Sequence, residues 1–138
     1  MRTMDDGTAR QIVWRHAEEV LELAGWAGFT TGDSQPIPCR GPDGRDLGLG
    51  WDRENVHYTE GSFQLVVPLE QHRALVDRVA RGWASLGYTV DPVTAFADGG
   101  ARVSARAGFV DLTLGSGQAP AMVLVVVTDC YRVAGEPP

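Results

Sequence analysis

The chain has 138 residues, 43% hydrophobic and 22% charged, which is enough to build one globular domain with a sizeable core. Its net charge of −6 disfavours nucleic-acid binding, because neutralising phosphates requires clustered positive charge. All 12 positively charged residues are arginines. The absence of lysine excludes a Schiff-base enzyme, a lysine general base and a P-loop phosphate site.

The pattern of apolar residues predicts two amphipathic helices. The first spans residues 8–24, because apolar side chains recur there every three to four positions and Thr8 to Gln11 fits a capping box. The second spans residues 70–86 and ends at Gly87. Residues 30–50, rich in glycine and proline, are predicted to form one long loop between the helices.

Alternating or continuous apolar runs predict the strands. Before the second helix, two short strands are joined by a turn at residues 59–61. In the strand predicted at 101–107, Arg102 and Arg106 alternate with Val103 and therefore point to the opposite face. The predicted strands are 55–58, 62–67, 88–95, 101–107, 109–114 and 122–131.

The element order α-β-β-α-β-β-β indicates an α+β fold. We expect a two-layer sandwich in which two helices pack on a mostly antiparallel sheet of about five to six strands. The whole chain, 1–138, is interpreted as a single domain, with residues 1–7 and 134–138 as tails.

The two cysteines suggest a structural disulfide. Cys39 lies in the predicted loop and Cys130 near the end of the most apolar run. If they pair, closing so long a loop contributes about 4–5 kcal/mol, and the protein belongs outside the reducing cytosol. The start of the chain, however, lacks the apolar segment of a signal peptide, so either a leader was removed or both cysteines are reduced in the cytosol. A reactive Cys39, activated by Arg40, is a further alternative.

No catalytic, metal or cofactor motif stands out. His16, His57 and His72 are scattered without metal-ligand spacing and are interpreted as surface or boundary residues. The acidic residues Asp43, Asp46, Asp52, Glu54 and Glu60 lack the spacing of a calcium loop and are interpreted as solvated. No apolar run is long enough to span a membrane.

Three residues are candidates for contact with a partner. Arg102 and Arg106 share the outer face of one predicted strand and could form a basic patch with the arginines of the second helix. Trp51 lies in a polar neighbourhood and could be an exposed aromatic anchor. The alternatives are ordinary solvated charge for the arginines and a core position for the tryptophan.

Short motifs along the chain resemble the mature domains of small actinobacterial lipoproteins and exported proteins of unknown function. The matching pieces are Ile-Pro-Cys-Arg-Gly at 37–41, Leu-Gly-Tyr at 86–88, Thr-Asp-Cys-Tyr at 128–131 and Gly-Glu-Pro-Pro at 135–138. The resemblance implies an exported, disulfide-linked domain without enzymatic activity. The chain departs from that family at its start, where neither a leader nor a lipid-accepting cysteine is present.

Together these observations predict a non-enzymatic binding or accessory module that is exported and binds a protein partner. One alternative is an acidic cytosolic interaction protein of the immunity type, which masks a toxin. Another is a small-ligand carrier or enzyme with a pocket between helices and sheet, using His57, Trp51 and Arg106. The sequence identifies neither the partner nor the oligomeric state.

Overall fold

The computed structural model describes residues 1–39 and 55–134. These residues form two helices and nine strands, more strands than predicted and in a different order. The elements are β1 (Arg2–Met4), α1 (Asp6–Ala24), β2 (Thr31–Pro38), β3 (Val56–Val66), α2 (Leu69–Ser85), β4 (Thr89–Val90), β5 (Thr94–Ala95), β6 (Ala101–Ala107), β7 (Val110–Ser116), β8 (Ala121–Thr128) and β9 (Tyr131–Val133).

All nine strands belong to one sheet in the order β1-β9-β3-β8-β7-β6-β4, with β2 paired to β3 and β5 paired to β6. Within the described chain the pairings are antiparallel except that of β1 with β9. Both helices lie on the same face of this sheet, and their apolar stripes close one continuous core. The α+β class with two helices against a mostly antiparallel sheet is therefore confirmed.

Helix α1 begins two residues earlier than predicted. Asp5, not Thr8, is the N-cap, and its carboxylate accepts a hydrogen bond from the backbone N–H of Thr8 at 2.6 Å. That hydrogen bond lowers the pKa of Asp5 below its ordinary value. The predicted end of the helix at Gly25 is confirmed.

Two glycines allow the helices to approach their neighbours closely. A β-carbon at Gly61 in β3 would overlap the side chains of Val13 and Phe63, so α1 packs directly over this point of the sheet. A β-carbon at Gly82 would overlap Leu23, so α1 and α2 meet at this glycine. Both glycines therefore mark places of close packing. The turn predicted at 59–61 is wrong, because β3 continues through these residues.

Several other predictions are wrong at the level of single elements. Residues 31–38 form β2 although they were expected in a loop, and β1 lies within the expected N-terminal tail. The strand expected at 88–95 is divided into β4 and β5, and the strand expected at 122–131 is divided into β8 and β9. Of the expected loop and C-terminal tail, residues 40–50 and 135–138 lie outside the described residues.

Among the described strands β2 pairs only with β3, and its other edge offers few backbone N–H groups for further pairing. The hydrogen bond from Cys39 N to Val56 O, at 3.0 Å, fixes which residues point their backbone groups toward β3. Ser34, Pro36 and Pro38 alternate with those residues, so their backbone groups point away from β3. The prolines have no N–H to donate, and the N–H of Ser34 is bonded to the carboxylate of Asp33 at 2.8 Å. Edge-to-edge pairing is thus disfavoured along residues 34–38 of this strand.

Candidate protein-binding face

The face of the sheet opposite the helices carries small and charged side chains in register. One row contains Asp33, Ser62, Val125, Thr113 and Ser104, which are neighbours on β2, β3, β8, β7 and β6. The next row contains Thr31, Gln64, Val123, Gly115 and Arg102. The row on the other side contains Gln35, Glu60, Val127, Asp111 and Arg106. These fifteen positions are called the open face below, because no described helix or strand covers them.

A stripe of three valines runs along the centre of the open face. Val123, Val125 and Val127 of β8 are partly exposed, while the alternate residues Met122, Leu124 and Val126 are fully buried under the helices. Because β8 is a central strand, this apolar stripe has polar neighbours on both sides. Apolar side chains in the middle of a polar rim are typical of protein interfaces.

Arg106 is held by two carboxylates. Its guanidinium donates to Asp129 at 3.0 and 2.5 Å and to Asp111 at 3.1 Å. These hydrogen bonds, that of Asp129 foremost, raise the pKa of Arg106. The predicted orientation of Arg106 away from the core is confirmed. Its positive charge, however, is more than offset by these two carboxylates, so Arg106 belongs to a paired polar cluster and not to a free basic patch.

Arg102 differs from Arg106 in having no carboxylate partner among the described residues. Its side chain lies beside Gly115, where an added β-carbon would come within 2.9 Å of its Cγ. Ser104, between the two arginines, pairs its hydroxyl with that of Thr113 at 3.1 Å. A cleft of about 490 Å³ opens here, lined by Thr89, Asp91, Ser104, Arg106, Asp111 and Thr113.

The disulfide Cys39–Cys130 lies at one end of the open face. It joins the end of β2 to the link between β8 and β9, with a Cα–Cα distance of 6.3 Å and a sequence separation of 91. Cys39 is only 1% exposed and Val56, its neighbour on β3, only 3%. Since both cysteines are bonded, neither offers a free thiol for nucleophilic chemistry. The third partner candidate, Trp51, and the acidic residues 43–54 lie outside the described residues.

His57 lies on the opposite side of the sheet from Arg106. Its Nδ1 is 3.0 Å from Asp6 Oδ1 at the start of α1. The Tyr131 hydroxyl donates to the same carboxylate oxygen at 2.6 Å. Because this donation uses its one hydrogen, the Tyr131 oxygen accepts a hydrogen bond from the Thr59 hydroxyl, 2.7 Å away. Burial and the Asp6 bond raise the pKa of Tyr131. The sequence alone did not indicate this network, because its members are spread over 125 residues.

The network joins the N-terminus of α1 to the sheet. The carboxylate of Asp6 is favourably placed in the first turn of the helix, where the backbone N–H groups carry partial positive charge. His57 and Tyr131 then hold the carboxylate from the sheet side. Among the described residues none hydrogen-bonds the remaining nitrogen, Nε2, of His57. These hydrogen bonds therefore orient the His57 ring and anchor the start of α1 to the sheet. The sheet lies between His57 and Arg106, so the two side chains do not share a site.

His72 is fully buried, so its interpretation as a surface or boundary residue is wrong. Its Nε2 lies 2.6 Å from Val67 O and 3.2 Å from Pro120 O, and two acceptors require that this nitrogen carries the proton. Its Nδ1 then accepts from the Ser116 hydroxyl at 2.8 Å, and Ser116 accepts from Ala101 N–H at 3.1 Å. All polar atoms of the ring are satisfied, which identifies a structural histidine.

His16 forms a third, half-buried cluster on α1. Its Nδ1 lies 3.6 Å from Glu19 Oε1, too far for a hydrogen bond, while Tyr88 donates its hydroxyl to the same oxygen at 2.8 Å. Burial lowers the pKa of His16, against the opposing effect of Glu19. Burial and the Glu19 bond raise the pKa of Tyr88 to about 12. Within residues 1–39 and 55–134, no three His, Cys, Asp or Glu side chains converge as a metal site.

Comparison with known proteins gives one structural similarity. No family model matches the sequence, and no curated protein is significantly similar to it. The fold is similar to the crystal structure of a predicted lipoprotein, LppA from Mycobacterium tuberculosis, with 12% identity and a TM-score of 0.49. The match covers 94% of this chain and 85% of that one. In the described part of this chain, no helix has the length and apolar character needed to cross a membrane.

Proposed function

We propose that this protein is a disulfide-stabilised binding module that acts outside the cytosol, without catalysis, and contacts another protein through the open face. The observation that carries the proposal is the open face itself: a valine stripe flanked by hydroxyls and charges on a sheet whose other face is covered by helices.

The chemistry of the open face favours protein over other ligands. Its charged residues comprise Asp33, Glu60, Asp111, Arg102 and Arg106, so carboxylates outnumber arginines on a chain of net charge −6. A nucleic acid or an acidic membrane surface would be repelled by such a face. A protein partner can cover the valines and meet both signs of charge at the rim.

Three polar side chains on the β6–β7 side of the open face, Arg106, Ser104 and Thr113, are already paired within the molecule. Arg106 is paired with the carboxylates of Asp111 and Asp129, and the hydroxyls of Ser104 and Thr113 hydrogen-bond to each other. Covering an unpaired charge is costly, whereas covering a paired and hydrogen-bonded one costs much less. A partner that covers Arg106, Ser104 and Thr113 therefore buries no isolated cation at those positions, whereas Arg102 requires a carboxylate from the partner.

The disulfide supports a location outside the cytosol. Disulfides persist in oxidising compartments and are rare in the cytosol, where thiols are kept reduced. Cys39 is almost completely buried, so the bond belongs to the packed structure. The sequence motifs that resemble exported actinobacterial domains point to the same compartment.

Site-specific cross-linking in cells of the native host tests the proposal. A photo-cross-linking amino acid replaces Ser62, an exposed residue beside the valine stripe, and in a control replaces Arg73, an exposed residue of α2. We expect an adduct of defined mass from position 62 and a much weaker one from position 73. Equal adducts from both positions, or none from position 62, would overturn the proposal.

A further inference from the structure

We draw no further inference here: the strongest candidate, the cleft of about 490 Å³ beside Ser104 and Asp111 on the open face, carries none, because nothing in the structure shows what fills it or what covers the sheet face around it.

Discussion

The two faces of the sheet differ in the side chains that the same strands present. The covered face carries large apolar side chains such as Phe63 and Leu124, and three polar clusters fasten the helices to their surroundings. The open face carries valines, hydroxyls and charged side chains, of which Arg106 is paired with two carboxylates. We therefore expect most of the stability to come from the covered face, which leaves the residues of the open face available for binding a partner.

The largest effect is expected from the disulfide, which lies where β2, β8 and β9 meet. Replacing both cysteines, Cys39→Ala with Cys130→Ala, should lower the free energy of unfolding by about 4 kcal/mol, because the 91-residue loop is no longer closed in the unfolded chain. Urea unfolding of the oxidised protein and the variant measures the difference. A loss below about 1 kcal/mol would show that the disulfide contributes little to the fold.

Two adjacent valines of β8 compare the faces directly. Val126 is fully buried under the helices and Val125 points to the open face. Val126→Ala should cost about 2–3 kcal/mol through lost burial and a cavity, whereas Val125→Ala should cost about 1 kcal/mol or less in the monomer. Chemical unfolding at low protein concentration gives both values. Equal losses would mean that the open face is covered as tightly as the core.

The His16 cluster makes the covered side sensitive to acid. Burial lowers the pKa of His16 in the folded chain, so His16 is protonated less readily there than in the unfolded chain. This contribution to stability is fully present above the unfolded pKa of about 6.5 and is lost as the pH falls toward the folded value. His16→Gln should flatten the pH dependence of the unfolding midpoint in that window. A variant that retains the full slope would assign the effect to other groups.

The smallest effect is expected on the exposed side. Arg106→Gln removes both ion pairs of a solvent-exposed guanidinium, and surface pairs of this kind contribute little to stability. The unfolding midpoint should therefore stay within experimental error. A clear drop would show that the Arg106 cluster is part of the structural framework as well as of the open face.

The periodic recurrence of apolar residues predicted the helices and strands that have one buried and one exposed face. The buried stripes of both helices and the alternation of β6, with Arg102 and Arg106 pointing outward, are confirmed. The pairing of Cys39 with Cys130, one of the alternatives at the sequence level, is the one present. The role of Arg102, Arg106 and Trp51 in binding a partner stays a prediction.

The errors have identifiable physical causes. The prolines of β2 suggested a loop, but an edge strand tolerates proline wherever its backbone nitrogen points away from the neighbour. Gly61 suggested a turn, but it is needed for the close approach of α1. His72 was expected at the surface because its three hydrogen-bond partners, Val67, Pro120 and Ser116, are brought together only by tertiary structure. Local patterns do not contain such contacts.

Both the proposed location outside the cytosol and the geometry at the end of the open face rest on the disulfide Cys39–Cys130. The state of this disulfide in the living cell is therefore the most direct test of the proposed function. Protein isolated from the native host, with thiols blocked at lysis, is analysed by intact mass after alkylation with and without reductant. We expect Cys39 and Cys130 to be alkylated only after reduction. Two free thiols in the folded protein would contradict it and would place the protein in the cytosol.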